Sequence, residues 1–261
     1  YLLYAPAEGH ALNLSFSNRI SRPSQNMVNP FPFYQNKYTY ACGREDLKPS
    51  YTYNAELGYT LKNNFNISGY YSYSDDVFFQ VIGETNLSSF LWENFMTTHA
   101  AGINNSYTFR TKWLQAYAQH GVSYRRTTSS AATTSPEEKG WSYDASLRNT
   151  FFLNKEKTFV ATLSGFYSSR QYHGVYLMQP NYSVSAGLLY RMLKNKLSLS
   201  LNANNILVSH SKLETLSNNM KMTVDNQFSF TNFRIGVSYT FGGDIRSKGE
   251  RNSNDDIQRR L

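Results

Sequence analysis

Residues 197–204 read LSLSLNAN, and residues 233–241 read FRIGVSYTF. In both stretches, large apolar side chains alternate with polar or small ones. Because successive side chains of a β-strand point to opposite faces, this period of two predicts strands with one apolar and one hydrogen-bonding face. The same alternation runs through residues 51–62 and 182–192, and in shorter or weaker form through 12–16, 103–109, 114–122, 141–153 and 159–167. The sequence therefore predicts an all-β protein.

The length of the stripes and the residues at their ends indicate the surroundings of these strands. Several stripes are ten or more residues long; a tilted strand needs about 9–11 residues to cross a bilayer, and strands of globular proteins average about five or six. Aromatic side chains gather at both ends, as at Tyr51 and Tyr59 or Tyr182 and Tyr190, which is typical of the two aromatic girdles of a membrane barrel. A soluble β-sandwich would alternate as well, but these features favour a transmembrane antiparallel β-barrel of an outer membrane. The longest apolar runs are only a few residues, which excludes a helical membrane protein.

The connections between the predicted strands alternate strictly between long and short. Because outer-membrane barrels have short periplasmic turns and longer extracellular loops, we expect residues 20–49, 81–94, 128–139, 172–178 and 210–225 to be extracellular, and the short turns and the C-terminus to be periplasmic. Residues 1–4 look like the end of a preceding strand, with its turn at 6–9. The sequence predicts about ten further strands, at residues 10–19, 50–62, 64–80, 95–110, 112–127, 140–153, 157–171, 179–192, 196–209 and 226–241.

Charge and cysteine content narrow the possible partners. The net charge is +8, but the basic residues recur in short turn-like clusters such as 62–64 and 194–196, so we expect no nucleic-acid partner. The single cysteine, Cys42, permits no internal disulfide. The chain begins at Tyr1 without Met or a signal segment, so we expect the signal peptide upstream and the chain to be a fragment. Residues 1–241 are expected to form barrel wall, and the polar residues 242–261 a flexible periplasmic tail.

Neither a catalytic centre nor a metal or cofactor site is expected. The five histidines, His10, His99, His120, His173 and His210, fall in different segments without ligand spacing. Two acidic pairs, at 75–76 and 137–138, lie near the predicted rim. They leave a rim protease or lipase conceivable, but nothing supplies a positioned partner for acid-base chemistry. We therefore expect a non-enzymatic protein.

Several short motifs resemble one family. They are the segments at 21–24 (SRPS), 29–31 (NPF), 47–51 (LKPSY) and 56–59 (ELGY), the sequence NNIL at 204–207, and the closing stretch 234–241. In this order they resemble the latter half of TonB-dependent receptor barrels, and are closest to the outer-membrane β-barrel receptor family. The segment 41–46 departs from the Gly-Asn-Pro type of turn that relatives tend to carry.

The resemblance implies a larger barrel and a transport function. It implies 22 strands closed around an N-terminal plug domain, of which this chain would supply about the ten C-terminal strands. It also implies a receptor that imports a scarce small ligand, such as a siderophore, glycan or peptide, with energy delivered by TonB through the plug. A passive porin-like or structural barrel is the alternative, and a TonB box and plug sequence upstream of Tyr1 would decide between them.

The polar face of the predicted wall would line the lumen, because charge is costly on the lipid side. Its side chains would wet the wall and hydrogen-bond the plug. The lumen-facing residues are expected to be Asn54, Glu56, Ser142, Asp144, Arg148, Ser183, Ser185, Arg191, Asn202, Asn204 and Arg234.

Aromatic residues are concentrated in the long loop at 20–49. Exposed aromatic clusters commonly mark binding sites, so part of this loop is a candidate ligand contact at the extracellular mouth. Packing of the rings within the loop or on neighbouring loops is an equal alternative. The candidate ligand-binding residues are Phe31, Phe33, Tyr34, Tyr38 and Tyr40.

The closing stretch also resembles the C-terminal signal that the barrel-assembly machinery reads. Gly236 is followed by Tyr239 and Phe241 on the face predicted to meet outer-membrane lipid. An unpaired final strand can add to another sheet edge, and exposed aromatic rings can strengthen that contact. The same rings would also suit the periplasmic aromatic girdle, and both roles can hold together.

Overall fold

Our computed structural model of the chain describes residues 1–82, 88–209, 211–215, 222–226 and 231–241. Its main feature is one large sheet. Each strand of this wall pairs antiparallel with the next wall strand along the chain. No helix in the described part of the chain is long and apolar enough to cross a membrane. In order across the sheet, the strands are β1 (Leu2–Ala7), β2 (His10–Ser21), β5 (Ser50–Leu61), β6 (Phe65–Ile82), β7 (Ser88–Arg110), β8 (Leu114–Ser129), β9 (Glu137–Phe152), β10 (Phe159–Ser168), β13 (Asn181–Met192), β14 (Leu197–Val208) and β17 (Asn232–Tyr239).

The sheet is an open barrel wall. Within the described residues, β1 pairs only with β2, and β17 pairs only with β14. All ten strands predicted from the sequence are present, and the expected preceding strand is β1, which extends to Ala7. The all-β antiparallel fold is therefore confirmed.

Period-two alternation divides the wall into two faces. Paired residues of like character meet across the strands: Leu199 lies opposite Val237 and Leu201 opposite Ile235. These apolar side chains are exposed to the surroundings of the wall, Leu201 by 44% and Ile235 by 80%. We call this side the apolar face, and the side that carries Glu56 and the other predicted lumen residues the polar face.

The polar face is smoothed by glycines over which neighbouring polar side chains lie. A Cβ atom at Gly58 would collide with Oδ1 of Asn13, and one at Gly121 would come within 2.6 Å of Oδ1 of Asn104. Both glycines lie directly opposite these asparagines in the sheet. Because glycine has no side chain, the amide groups of Asn13 and Asn104 have room to lie over the neighbouring strand.

Short turns join the strands at one end of the wall, which we call the short-turn end. Lys62 and Asn63, and likewise Lys194 and Asn195, adopt left-handed φ angles between 48° and 68°, a conformation that asparagine tolerates better than most residues. The opposite end, which we call the long-loop end, carries the longer connections. The predicted alternation of short and long connections holds in part, because only five residues separate β6 from β7, fewer than the six that join β9 to β10 at the short-turn end.

The long connections contain more regular structure than the sequence pattern indicated. They hold a short helix, α1 (Gln25–Val28), the hairpin strands β3 (Phe33–Asn36) and β4 (Thr39–Cys42), and a separate four-stranded sheet. That sheet has the order β11 (Gln171–His173), β12 (Tyr176–Met178), β15 (Ser211–Thr215) and β16 (Thr223–Asn226).

Three predicted boundaries were wrong at this end. The expected loop 81–94 is largely strand, because β6 and β7 continue as a paired hairpin beyond the alternating stripe. The expected loop 128–139 shortens because β9 begins at Glu137. The final strand begins at Asn232 and not near 226, since residues 223–226 pair with β15 in the separate sheet. The predicted tail at 242–261 lies outside the described residues.

Candidate ligand-binding surface at the long-loop end

The long-loop end is built around the extended hairpin of β6 and β7. Near Asp76 the register between these strands shifts, and Asp76 itself adopts a φ of 51°. Beyond this bulge, the far end of β7 pairs in parallel with β4 at residues 88–91, and β4 pairs with β3. The result is a four-stranded arm in the order β6, β7, β4, β3, which continues the wall past the apolar stripes.

A small hydrophobic core holds the arm against the neighbouring loops. Val81, Phe95 and Met96 are buried together, with the partly buried Val77, Phe79, Leu91, Ala131 and Val175 packed around them. Phe79 makes edge-on contacts with Tyr176 at 5.5 Å and His173 at 6.2 Å between ring centroids. The loops after β8 and β10 therefore pack on the arm, which makes the long-loop end one assembly.

Asn94 ties the base of the 20–49 loop to the bulge. Its Oδ1 accepts a hydrogen bond from the Lys48 backbone N–H at 2.8 Å, and its Nδ2 donates to the carbonyls of Lys48 and Asp76 at 2.9 and 2.6 Å. Nearby, Arg44 donates to Asp46 and to Glu93 on β7. The hydrogen bond from Arg44 holds the pKa of Asp46 below its ordinary value. These contacts fix a loop of about thirty residues at its C-terminal base.

The predicted ligand-binding aromatics lie on or beside the β3–β4 hairpin, at the edge of the arm. Phe31 is 76% exposed and Phe33 71% exposed, and Tyr34 and Tyr38 are also exposed. Tyr40 is half-buried, and its ring lies 5.7 Å from that of Tyr34. The structure places the five residues in one segment with four rings open to solvent, but only Tyr34 and Tyr40 contact each other, and Phe33 lies on the opposite face of β3 from Tyr34. Whether they bind a ligand stays a prediction.

An ion-pair cluster at this end was not found from the sequence. Arg126 on β8 and Lys139 on β9 both donate to the carboxylate of Glu137, at 2.8 and 2.6 Å. Lys139 and then Arg126 lower the pKa of Glu137 to about 2. The sequence predicts Glu137 in a loop, whereas it begins strand β9. Because Arg126 and Lys139 are paired residues on the neighbouring strands β8 and β9, both side chains reach the Glu137 carboxylate.

The other candidate chemistry is dispersed. Asp75 accepts a hydrogen bond from Thr97, while His10 and His99 hydrogen-bond to the tyrosine hydroxyls of Tyr59 and Tyr71. Among the described residues, no group of three or more His, Cys, Asp or Glu side chains could hold a metal ion. His210 lies outside the described residues.

The residues of the predicted assembly signal lie on β17 and just beyond it. Tyr239 and Phe241 stack edge-on with 4.6 Å between ring centroids, and Phe241 is 85% exposed. Gly236 lies opposite Ser200, whose hydroxyl would be 2.6 Å from an added Cβ atom. Recognition by the assembly machinery stays a prediction.

Comparison with known proteins decides the family. The model of the outer membrane protein beta-barrel family matches residues 1–239. The chain belongs to this family. The match covers the entire described wall, so the resemblance seen in the sequence motifs is confirmed and the protein is assigned to the outer membrane. A search of curated proteins found no match.

Solved structures with the same fold include receptors for iron carriers. The chain is similar to the siderophore receptor PirA of Pseudomonas aeruginosa (TM-score 0.57, 14% identity, 78% of this chain and 37% of that one). It is also similar to a ferric enterobactin receptor mutant of the same organism, solved with enterobactin (0.56, 14%, 80% and 34%). A third is the FrpB iron transporter of Neisseria meningitidis (0.53, 16%, 92% and 38%). The chain thus spans little more than a third of the length of these receptors.

Proposed function

We propose that this outer-membrane barrel protein forms wall and rim of a TonB-dependent receptor that binds and imports a scarce small ligand. The observation that carries the proposal is the exposed aromatic hairpin on the braced arm at the long-loop end. Aromatic rings offer large apolar contact areas with little flexibility, and binding residues commonly lie on loops positioned by a rigid scaffold. The ligand class stays open among siderophores, glycans and peptides.

The proposed orientation follows from the two ends of the wall. Tight turns suit the periplasmic side, and the larger packed loops suit the extracellular side, as in other outer-membrane barrels. In this orientation the hairpin with Phe31 and Phe33 faces the medium and meets the ligand first. The polar face would line the lumen and contact a plug domain, through which TonB would deliver the energy for import. No catalytic step is part of this proposal.

The test substitutes Phe31, Phe33 and Tyr38 by Ser in the full-length receptor, leaving the Tyr34–Tyr40 pair to hold the hairpin. Uptake is measured with a panel of one ferric siderophore, one oligosaccharide and one peptide, each radiolabelled. For whichever probe the wild type accumulates, we expect uptake at limiting concentration to fall at least tenfold. The matched control is Trp113→Ser, which removes an exposed ring at the short-turn end.

The amount of each variant in the outer membrane must equal that of the wild type. Uptake by the triple variant equal to that of the wild type would reject the hairpin as a ligand contact. Uptake that persists when TonB is deleted would reject active import and favour a passive porin-like barrel.

A further inference from the structure

Two polar side chains interrupt the apolar face of the wall. Asn105 on β7 and His120 on β8 lie directly opposite each other, in line with Ile67 on β6 and Ala145 on β9. Ile103 and Tyr107 flank Asn105 on the same face of its strand. The apolar neighbours show that both polar groups project on the side expected to meet lipid.

Both residues lie near the middle of the apolar band. His120 lies six residues after Leu114 and four before Tyr124 on the same face of β8. Asn105 lies six residues after His99 and four before Phe109 on β7. Since about ten residues of a tilted strand cross the hydrocarbon layer, the pair lies deep in that layer and not at either interface.

Such a position is unfavourable for polar groups that contact only lipid tails. His120 is exposed and Asn105 half-buried, and the one ring contact of His120 in the described part of the chain is with Tyr143, at 6.5 Å. In that part, neither side chain has a hydrogen-bond partner. Lipid headgroups remain at the interfaces, so the hydrogen-bonding capacity that the pair and the neighbouring Tyr143 do not satisfy among themselves can be met at this depth by another protein surface.

The surface beside the pair allows close approach. A hollow next to His120 is lined by the small residues Ala118, Ala145 and Gly165. Larger side chains also line it, with Leu147 between Ala118 and Gly165 and Tyr167 opposite Ala145. In membranes, small residues let two backbones come near, and polar side chains then hydrogen-bond across the contact. Polar side chains elsewhere on the central apolar face of the described wall are confined to Asn149, on the adjacent strand β9.

We propose that this face of β7–β9 binds a second copy of the same protein within the outer membrane. The imidazole of neutral His and the amide of Asn each offer one donor and one acceptor side. Across a two-fold axis along the membrane normal, Asn105 of one copy faces His120 of the other, and the same contact repeats in reverse. The pair is therefore complementary to itself, as a two-fold interface requires.

The experiment measures dimerisation of the full-length protein in native outer membranes. In a Cys42→Ser background, Val122→Cys places a thiol on the apolar face beside His120, and oxidation yields a disulfide-linked dimer where two copies meet. Replacing both Asn105 and His120 by Leu is expected to lower the rate of dimer cross-linking about tenfold or more. This is the loss expected when two hydrogen bonds between the copies, inside the membrane, are removed. The control replaces Asn104 and Gln119, their neighbours on the polar face, by Leu.

The folded fraction, read from heat-modifiable gel mobility, separates this proposal from simple contact with lipid. Two apolar substitutions on a lipid-facing wall favour folding, so the Leu variant should remain folded while it loses the dimer. Absence of a cross-linked dimer in the wild type, a cross-link to a different protein, or equal rates in wild type and Leu variant would each overturn the proposal. None of these outcomes depends on whether the receptor imports a ligand.

Discussion

At the scale of single residues, the fold rests on which face of the wall each side chain occupies. Leu199, Leu201, Ile235 and Val237 form a contiguous apolar patch on β14 and β17, whose exposure would be unfavourable in water. A hydrocarbon surrounding makes the same exposure favourable, because each side chain then lies in a medium of its own polarity. The polar partners of these residues, such as Ser200, lie on the opposite face.

The first prediction tests this assignment at Leu201. Substituting Leu201→Arg should lower the free energy of unfolding by about 2–4 kcal/mol, the cost of an arginine on the lipid face near the midplane. The measurement is reversible unfolding of the full-length protein refolded from detergent into bilayers. Ser200→Arg is the matched control, because its side chain points to the polar face opposite Gly236. A change in the free energy of unfolding near zero for Leu201→Arg would contradict the assignment of residue 201 to the lipid-facing side.

At the scale of elements, the alternating strands could be predicted from the sequence, but the arm at the long-loop end could not. Period two is a local property, and asparagines in short turns are equally local signals. The arm depends on contacts between distant segments, such as the parallel pairing of β4 with β7 and the core of Val81, Phe95 and Met96. Those residues carry no clean alternation that would mark them as strand.

The candidate site, too, could be predicted from the sequence only in part. The aromatic content of the 20–49 loop was visible in the sequence, and its location on an exposed hairpin was not. Asn94 and the Arg126–Glu137–Lys139 cluster gave no sequence signal, because ordinary polar residues acquire such roles only through the register of neighbouring strands.

The second prediction concerns Asn94, which fixes the base of the loop that carries the hairpin. Asn94→Ala removes three hydrogen bonds, and Asn94→Asp keeps only the acceptor for the Lys48 N–H. Each bond contributes about 0.5–1.5 kcal/mol, so we expect faster hydrogen exchange at residues 44–49 in the order Ala, Asp, wild type. Exchange within β14 should stay unchanged. Equal exchange at residues 44–49 in all three proteins would contradict the role of Asn94.

At the scale of the whole molecule, the wall has two open edges within the described residues. One is β1 and the other β17, each with unpaired backbone groups along its free side. Further strands paired with β1 and β17 would remove both edges, and the solved receptors with this fold are larger. The edge at β17 is also where assembly by other machinery could begin.

The third prediction addresses that edge. Changing Tyr239 and Phe241 together to Ala should sharply lower outer-membrane insertion of the full-length protein, because the predicted assembly signal would lose the side-chain contact that the exposed pair of rings would offer to the assembly machinery. Deleting residues 244–261 should have little effect. Insertion is measured as protease-resistant, heat-modifiable protein in outer-membrane fractions. If the deletion abolished insertion and the double substitution did not, the signal would lie elsewhere.

The central claim, that the apolar face of this wall meets lipid and the polar face does not, is tested most directly by spin-label accessibility. Single cysteines at residues 197–204 are labelled in a Cys42→Ser background of the full-length protein in bilayers, and their exposure to oxygen and to a water-soluble nickel complex is measured. We expect oxygen accessibility to peak at 197, 199, 201 and 203 and to fall at the even positions. Accessibility without a period of two, or nickel exposure as high at 199 and 201 as at 200 and 202, would contradict a transmembrane wall.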